Sequence, residues 1–145
     1  MNKPFAFDGY LIGMVHLRPL PGSPRWRGSM KDVVDAALAD ALALERAVAD
    51  AIIVENFGDV PFPRGAVAPA TVAALTTVAT RIKSQVKLPM GINVLRNDGL
   101  AALGIALAVG AEFIRVNVLA WARLTDQGIV EGDAAEIHRT RAALG

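Results

Sequence analysis

The sequence contains no cysteine, and only 6% of its 145 residues are aromatic. The absence of cysteine excludes disulfide bonds, cysteine-ligated zinc and a thiol nucleophile. It fits a reducing compartment, so we expect a cytoplasmic protein. Neither sign of charge dominates, because 15 basic residues stand against 14 acidic ones. A net charge of +1 argues against nucleic acid as a partner.

The sequence also lacks a long uninterrupted apolar run, although 53% of its residues are hydrophobic. Of the two longest uncharged runs, 65–80 is interrupted by proline. The other, 99–111, is too short for a span of about 20 apolar residues. We therefore expect neither a transmembrane segment nor a signal peptide. So apolar a composition without a membrane span favours an α/β protein, whose parallel strands are buried on both faces.

Four short apolar runs, rich in Ile and Val, predict four buried parallel strands. These runs are Leu11–His16, Ala51–Asn56, Met90–Leu95 and Phe113–Leu119. Segments with helical periodicity alternate with them, and the predicted helices are Met30–Ala49, Pro69–Ser84, Asp98–Val109 and Asp133–Leu144. Ser29 and Asp98 are suited to begin helices, and Gly110 is suited to end one. Residues 1–145 thus form one domain of four β-α units, which corresponds to half of a (β/α)₈ TIM barrel or to a small open sheet.

Strand alternation places several polar side chains on the face opposite the helices. The β-branched residues of each strand should face the helices, so Glu55, Asn93, Arg115 and Asn117 should point to the inner side of the sheet. Because an unpaired buried charge costs several kcal/mol, these groups must find partners, and a Glu55–Arg115 pair is one solution. That pair is either a structural ion pair or part of a ligand site, and the sequence leaves both open.

Polar residues also follow each strand at its carboxyl end, where parallel α/β folds bind ligands. The candidate catalytic residues are His16, Glu55 and Asp126, with His16 favoured as acid or base because imidazole titrates near neutral pH. The candidate substrate-binding residues are Asn56, Asn93, Arg96, Asn97, Arg115 and Asn117. Each also has a structural alternative, such as a hydrogen-bonded histidine or a surface arginine.

The same residues carry no recognisable metal or nucleotide signature. The acidic residues and the histidine lie on different loops without helical ligand spacing, so no metal site is predicted. Glycine-rich dinucleotide, Walker A and Gly-x-Ser-x-Gly motifs are absent from the sequence. The sequence therefore identifies no cofactor.

Five ordered segments carry a resemblance to a known family. They are residues 13–24 (GMVHLRPLPGSP), 50–62 (DAIIVENFGDVPF), 91–98 (GINVLRND), 113–119 (FIRVNVL) and 125–132 (TDQGIVEG). Together they resemble the BtpA family, which takes its name from a photosystem I biogenesis protein. The resemblance implies a barrel of the ribulose-phosphate-binding type, but it transfers no reaction and no catalytic residue.

The resemblance also implies a length of about twice this chain, which stops after its fourth unit. We expect a fragment of a longer protein, or a half barrel that pairs with a second copy, because open strand edges invite pairing. The leading hypothesis is that the intact form binds or transforms a small anionic metabolite, such as a phosphorylated one. The alternatives are a non-enzymatic assembly or stability factor for a membrane protein complex, associated peripherally with the membrane, and a fragment without function. Whether the protein is an enzyme stays open.

Overall fold

A computed structural model describes residues 9–145 as four parallel strands alternating with four helices. The strands are β1 (Ile12–His16), β2 (Ala51–Glu55), β3 (Met90–Asn93) and β4 (Phe113–Arg115), and they pair in the order β1-β2-β3-β4. The helices are α1 (Met30–Arg46), α2 (Pro69–Lys83), α3 (Gly99–Val109) and α4 (Ala134–Leu144). This arrangement confirms the predicted α/β architecture and is consistent with half of a barrel.

Two further elements were not predicted from the sequence. A short 3₁₀ helix, Phe57–Asp59, follows β2. A two-stranded antiparallel hairpin, β5 (Ala122–Thr125) and β6 (Gly128–Glu131), lies between β4 and α4. The chain reverses there just before Gly128, whose φ of 91° lies in the region that favours glycine. The hairpin is hard to recognise from the sequence because the first three residues of β5 are all exposed, polar and apolar alike, so no buried face marks the strand.

The predicted strands and helices exist, but several end earlier than expected. β4 ends at Arg115 instead of Leu119 because the backbone of the next segment forms hydrogen bonds with the side chain of Asn97. Its Oδ1 accepts from the Val118 N–H at 2.8 Å, and its Nδ2 donates to the Val118 carbonyl at 2.9 Å. α1 ends at Arg46 instead of Ala49, since Val48 has a φ of 62° that no α-helix accommodates.

The predicted helix ends are confirmed at three positions. Ser29 Oγ accepts a hydrogen bond from the Asp32 N–H at 3.2 Å and begins α1. Asp98 Oδ1 accepts from the Ala101 N–H at 2.9 Å and begins α3. Gly110 ends α3 with a φ of 71°. These local contacts fix where each helix starts relative to the strand before it.

The hydrophobic core lies between the sheet and the helices. Alternate strand residues, among them Val15, Val54 and Ile92, are fully buried on this side. They pack in one cluster with helix residues such as Leu75 and Ile105. Burying each such side chain contributes roughly 1.5–3 kcal/mol. The core thereby fixes which face of every strand is left for the other side of the sheet.

The opposite face of the sheet, here called the inner face, carries two rows of side chains in register. The lower row is apolar and consists of Met14, Ile53, Gly91 and Phe113. The Phe113 ring lies against Gly91 so closely that a methyl group on Gly91 would overlap it. The absence of a side chain at Gly91 thus leaves room for the Phe113 ring in the apolar row.

Two remaining expectations concern the edge strands of the sheet and membrane-spanning helices. Within the described residues, β1 and β4 each pair with a neighbour on one side only, as do the edge strands of an open sheet or of a half barrel. Within residues 9–145, no helix is both long enough and apolar enough to cross a membrane.

Candidate functional site

The upper row of the inner face consists of four polar side chains, one from each strand of the sheet. Strand pairing places His16 beside Glu55, Glu55 beside Asn93, and Asn93 beside Arg115. Each of the four is the last residue of its strand. Since the strands are parallel, the four side chains lie together at the carboxyl edge of the sheet. We call this set the polar row.

Glu55 is the buried centre of the polar row. Its Oε2 lies 3.3 Å from His16 Nε2, and its Oε1 lies 3.3 Å from Arg115 Nη1. The predicted Glu55–Arg115 pair is therefore confirmed. The Glu55 side chain is only 5% exposed, whereas those of His16 and Arg115 are 46% and 48% exposed. The carboxylate thus has a partner on each side, and both His16 and Arg115 keep about half of their side-chain surface available for another molecule.

The imidazole of His16 is held between a carboxylate and an aromatic ring. The ring of Phe57 stacks on it with centroids 4.3 Å apart and planes 15° apart. Because a carboxylate only accepts hydrogen bonds, Glu55 favours the neutral tautomer that carries its proton on Nε2. His16 then presents Nδ1 as an acceptor. Phe57 was not predicted as a site residue, although its position two residues after the end of β2 was a usable signal.

Asn93 contains the one buried polar side-chain atom of residues 9–145 without a hydrogen-bond partner. Its Nδ2 donates to the Arg115 carbonyl at 2.8 Å and to Asn117 Oδ1 at 3.0 Å. Those two acceptors fix the orientation of the amide, since the opposite orientation would place oxygen against oxygen. Its Oδ1 is left unpaired in the middle of the polar row. An unpaired buried acceptor costs about 1–3 kcal/mol, so this atom is suited to accept a hydrogen bond from a molecule bound above the sheet.

Asn56, the residue after Glu55, uses its side-chain amide for hydrogen bonds within the protein. Its Oδ1 accepts from the Leu95 N–H at 2.7 Å, and its Nδ2 donates to Asp59 Oδ2 at 3.0 Å. Asp59 in turn accepts from the Leu20 N–H at 2.7 Å, and burial raises the pKa of this carboxyl. The residue predicted to bind substrate therefore ties together the loops that follow β1, β2 and β3.

Asp126, predicted to act with His16 and Glu55, lies instead at the tip of the hairpin beside Arg96. Arg96 Nη2 donates to Asp126 Oδ1 at 2.9 Å, and its Nε donates to Gln127 Oε1 at 2.7 Å. The guanidinium also lies over the ring of Phe62, 5.2 Å from its centroid. Strand order explains the difference, because the hairpin places Asp126 next to the loop after β3 and not next to β1.

Asn97 holds the segment after β4, through the two Val118 hydrogen bonds described above, and also lines a cleft. This cleft of about 520 Å³ lies between the hairpin and the starts of α3 and α4. Of the predicted site residues, the structure thus brings together His16, Glu55, Asn93, Arg115 and Asn117, while Asn56, Arg96, Asn97 and Asp126 form the surrounding loops. No group of three or more metal-ligating side chains occurs in the part of the chain that the structure describes.

Comparison with known proteins gives a consistent set of matches. The model of the BtpA family matches residues 8–145. The chain is similar to an uncharacterised protein of Thermococcus kodakarensis, with 58% identity over 92% of the chain and 51% of that relative. It is 52% identical to the photosystem I biogenesis protein BtpA of Synechocystis sp., over 97% of the chain and 49% of that relative. An uncharacterised protein of Methanocaldococcus jannaschii is 50% identical over 92% of the chain and 51% of its own length. The chain spans about half the length of the curated relatives it matches.

Proposed function

The chain belongs to the BtpA family, and we propose that it forms half of a (β/α)₈ barrel that binds a small anionic metabolite at the carboxyl ends of its strands. The polar row carries this proposal. Four strands each end in a polar side chain on one face, and the Glu55 carboxylate contacts both His16 and Arg115. A barrel of this kind binds its ligands at that edge.

Closure into a barrel is supported by the open edges of the sheet and by the length of the relatives. β1 and β4 each have one free edge in the described residues, and an exposed strand edge is a template for pairing with another chain. The relatives contain about as much chain again. The complementary half, or a second copy of this chain, would pair with both edges and cover the inner face.

The chemistry of the polar row favours an anionic ligand. Arg115 offers a half-exposed guanidinium, whose planar donors suit carboxylate and phosphate groups. Asn93 adds an unpaired acceptor for a hydroxyl or amino group of the same ligand. His16, positioned by Glu55 and Phe57, would exchange a proton with the bound molecule through Nδ1. A phosphorylated metabolite fits these side chains. It would be transformed as well as bound if His16 acts on it as an acid or base, and only bound otherwise.

The test uses a fusion protein that joins this chain to the half of the Thermococcus kodakarensis relative that it does not cover. Binding of inorganic phosphate and of ribose 5-phosphate is measured by calorimetry. Arg115→Met should weaken binding at least tenfold, because hydrogen bonds to charged groups contribute about 1.5–3 kcal/mol. The matched control is Arg139→Met, which removes an exposed guanidinium from α4. Equal affinity in the Arg115 variant and the unsubstituted fusion would refute the proposed site.

A second candidate is an assembly factor for a membrane protein complex, and the hairpin favours it. Leu124 and Ile129 lie directly opposite each other in register, and both are exposed. Trp121, just before β5, is 81% exposed with a φ of 59°. Such an apolar group on a loop is typical of a protein-binding surface. The Synechocystis relative bears the name of a photosystem I biogenesis protein.

The two candidates are separated by two double variants in Synechocystis carrying the fusion in place of its own BtpA. An assembly factor predicts that Leu124→Ser/Ile129→Ser lowers photosystem I content while His16→Asn/Arg115→Met leaves it unchanged. The metabolite-binding proposal instead predicts that His16→Asn/Arg115→Met abolishes ligand binding by the purified fusion, while Leu124→Ser/Ile129→Ser leaves that binding unchanged. Circular dichroism and urea denaturation of both purified variants serve as the control for correct folding.

A further inference from the structure

The loop between β1 and α1 contains a group of basic side chains that the polar row does not use. This loop, residues 17–29, is 13 residues long and contains neither helix nor strand. Structureless loops of that length in a compact domain are usually functional. Arg18, Arg25 and Arg27 all lie on it and are exposed.

The loop is held in one conformation despite its length. Leu20 is fully buried, and its N–H donates to Asp59 Oδ1 at 2.7 Å. Two turns follow, in which the Ser23 N–H donates to the Leu20 carbonyl at 3.0 Å and the Trp26 N–H donates to the Ser23 carbonyl at 3.1 Å. Thr71 Oγ1, on α2, donates to the Pro21 carbonyl at 3.4 Å. The arginines are therefore presented from a fixed backbone, which lowers the entropic cost of binding.

These side chains surround a cleft of about 780 Å³. Its lining includes Arg18, Arg25, Trp26, Arg27, Ser29 and Asp32. Three guanidiniums against one carboxylate give the lining a formal charge of +2. Within residues 9–145, no acidic side chain forms an ion pair with any of the three arginines. Arg96 and Arg115, by contrast, are each paired with a carboxylate.

We propose that this cleft is a second anion-binding site, separate from the polar row, and that it binds a ligand carrying a diphosphate group. Arginine donors match phosphate oxygens in pairs, and several of them can share a group with two or more negative charges. Binding would offset the like charges of the three guanidiniums that line this cleft. Trp26 supplies an apolar wall for the organic part of such a ligand.

The probe is inorganic pyrophosphate, and Trp26 is the reporter. The chain has two tryptophans and one tyrosine, so a Trp121→Phe background leaves Trp26 as the single tryptophan of this chain, and excitation selective for tryptophan avoids Tyr10. Titrations are made at low salt on this chain and on the fusion protein. We expect pyrophosphate to change the Trp26 emission and to bind at least tenfold more tightly than inorganic phosphate.

Two double variants in the same background decide whether the cleft is the site. Arg25→Gln/Arg27→Gln should weaken pyrophosphate binding at least tenfold. Arg81→Gln/Arg139→Gln removes the same charge from exposed helix positions and should leave binding unchanged. Equal weakening by both pairs, or by neither, would overturn the proposal.

Arg115→Met separates this proposal from that of the polar row. It should leave pyrophosphate binding at Trp26 unchanged, whatever it does to ribose 5-phosphate. If the Arg115 variant loses the pyrophosphate signal and the Arg25/Arg27 variant keeps it, the anion is assigned to the polar row instead. Binding to this chain but not to the fusion would mean that the complementary half fills the cleft, and would also refute a ligand site there.

Discussion

Replacing Glu55 with glutamine should destabilise the fold and invert the tautomer of His16. Glutamine keeps the size of the side chain but exchanges one of its two acceptor oxygens for a donor NH₂ group. Because the guanidinium of Arg115 can only donate, the amide oxygen must face Arg115 and the NH₂ group must face His16. The imidazole can accept that hydrogen bond only with its proton moved from Nε2 to Nδ1.

The magnitude follows from the exposure of the three side chains. The two contacts of Glu55 are each 3.3 Å long, and its partners are about half exposed. Of the two contacts, the one with Arg115 is a hydrogen bond. Hydrogen bonds to charged groups contribute about 1.5–3 kcal/mol, and the variant keeps this one in weaker form. We therefore expect Glu55→Gln to lower the free energy of unfolding by about 1–2 kcal/mol. With a urea dependence of about 1–3 kcal/mol per M, the denaturation midpoint should fall by roughly 1 M.

The assay combines urea denaturation of the fusion protein with ¹⁵N NMR of its histidine side chains. Asp35→Asn is the matched control, since Asp35 forms an exposed ion pair with Lys31, and such pairs contribute about 0–1 kcal/mol. The reasoning is refuted if Glu55→Gln is as stable as the unsubstituted protein. It is also refuted if neutral His16 carries its proton on the same nitrogen in both proteins.

Three further predictions concern other contacts of the structure. Gly91→Ala should lower the free energy of unfolding by about 1–3 kcal/mol in urea denaturation, because the methyl group overlaps the Phe113 ring. Adding Phe113→Leu should restore most of that stability, and an unchanged stability of Gly91→Ala would contradict the described packing. Asn56→Ala should cost about 2–4 kcal/mol in the same assay, since it leaves the buried Leu95 N–H without an acceptor, and a cost below about 1 kcal/mol would show that this amide is dispensable. Although burial raises the pKa of Glu112, hydrogen bonds from Lys83 and a backbone N–H lower that pKa overall. The ionised Glu112 therefore stabilises the fold above the ordinary carboxyl pKa of about 4.5, and this stabilisation is lost as the pH falls below that value. Between pH 7 and pH 3 the melting temperature of Glu112→Gln should fall less steeply than that of the unsubstituted protein, and parallel curves would contradict this.

Sequence periodicity predicted those parts of the structure that depend on neighbouring residues. Helix ends at Ser29, Asp98 and Gly110 could be predicted because capping involves residues only a few positions apart. Alternation along single strands likewise placed Glu55 and Arg115 on the same face. The pairing of those two side chains was a reasonable expectation, because buried charges require partners.

Contacts between distant segments could not be predicted in the same way. The sequence does not show that His16, Glu55, Asn93 and Arg115 lie in one register row, since register is set by pairing between strands. Asn97 has the composition expected of a ligand-binding residue, yet the nearest partner of its amide is a backbone segment about 20 residues further along the chain. The position of Asp126 depended on a hairpin whose strands are four residues each.

The coincidence of the polar row with the last residue of every strand has a consequence for folding as well as for binding. A slip of one residue in the pairing of β2 would exchange the two faces of that strand. Glu55 would then enter the apolar core among residues such as Val15 and Ile92, without a cation, at a cost of several kcal/mol. The side chains proposed to recognise a ligand therefore also disfavour incorrect pairing registers of the strands. Variants that make the row apolar should fold into a mixture of registers, so the same four positions constrain both assembly and recognition.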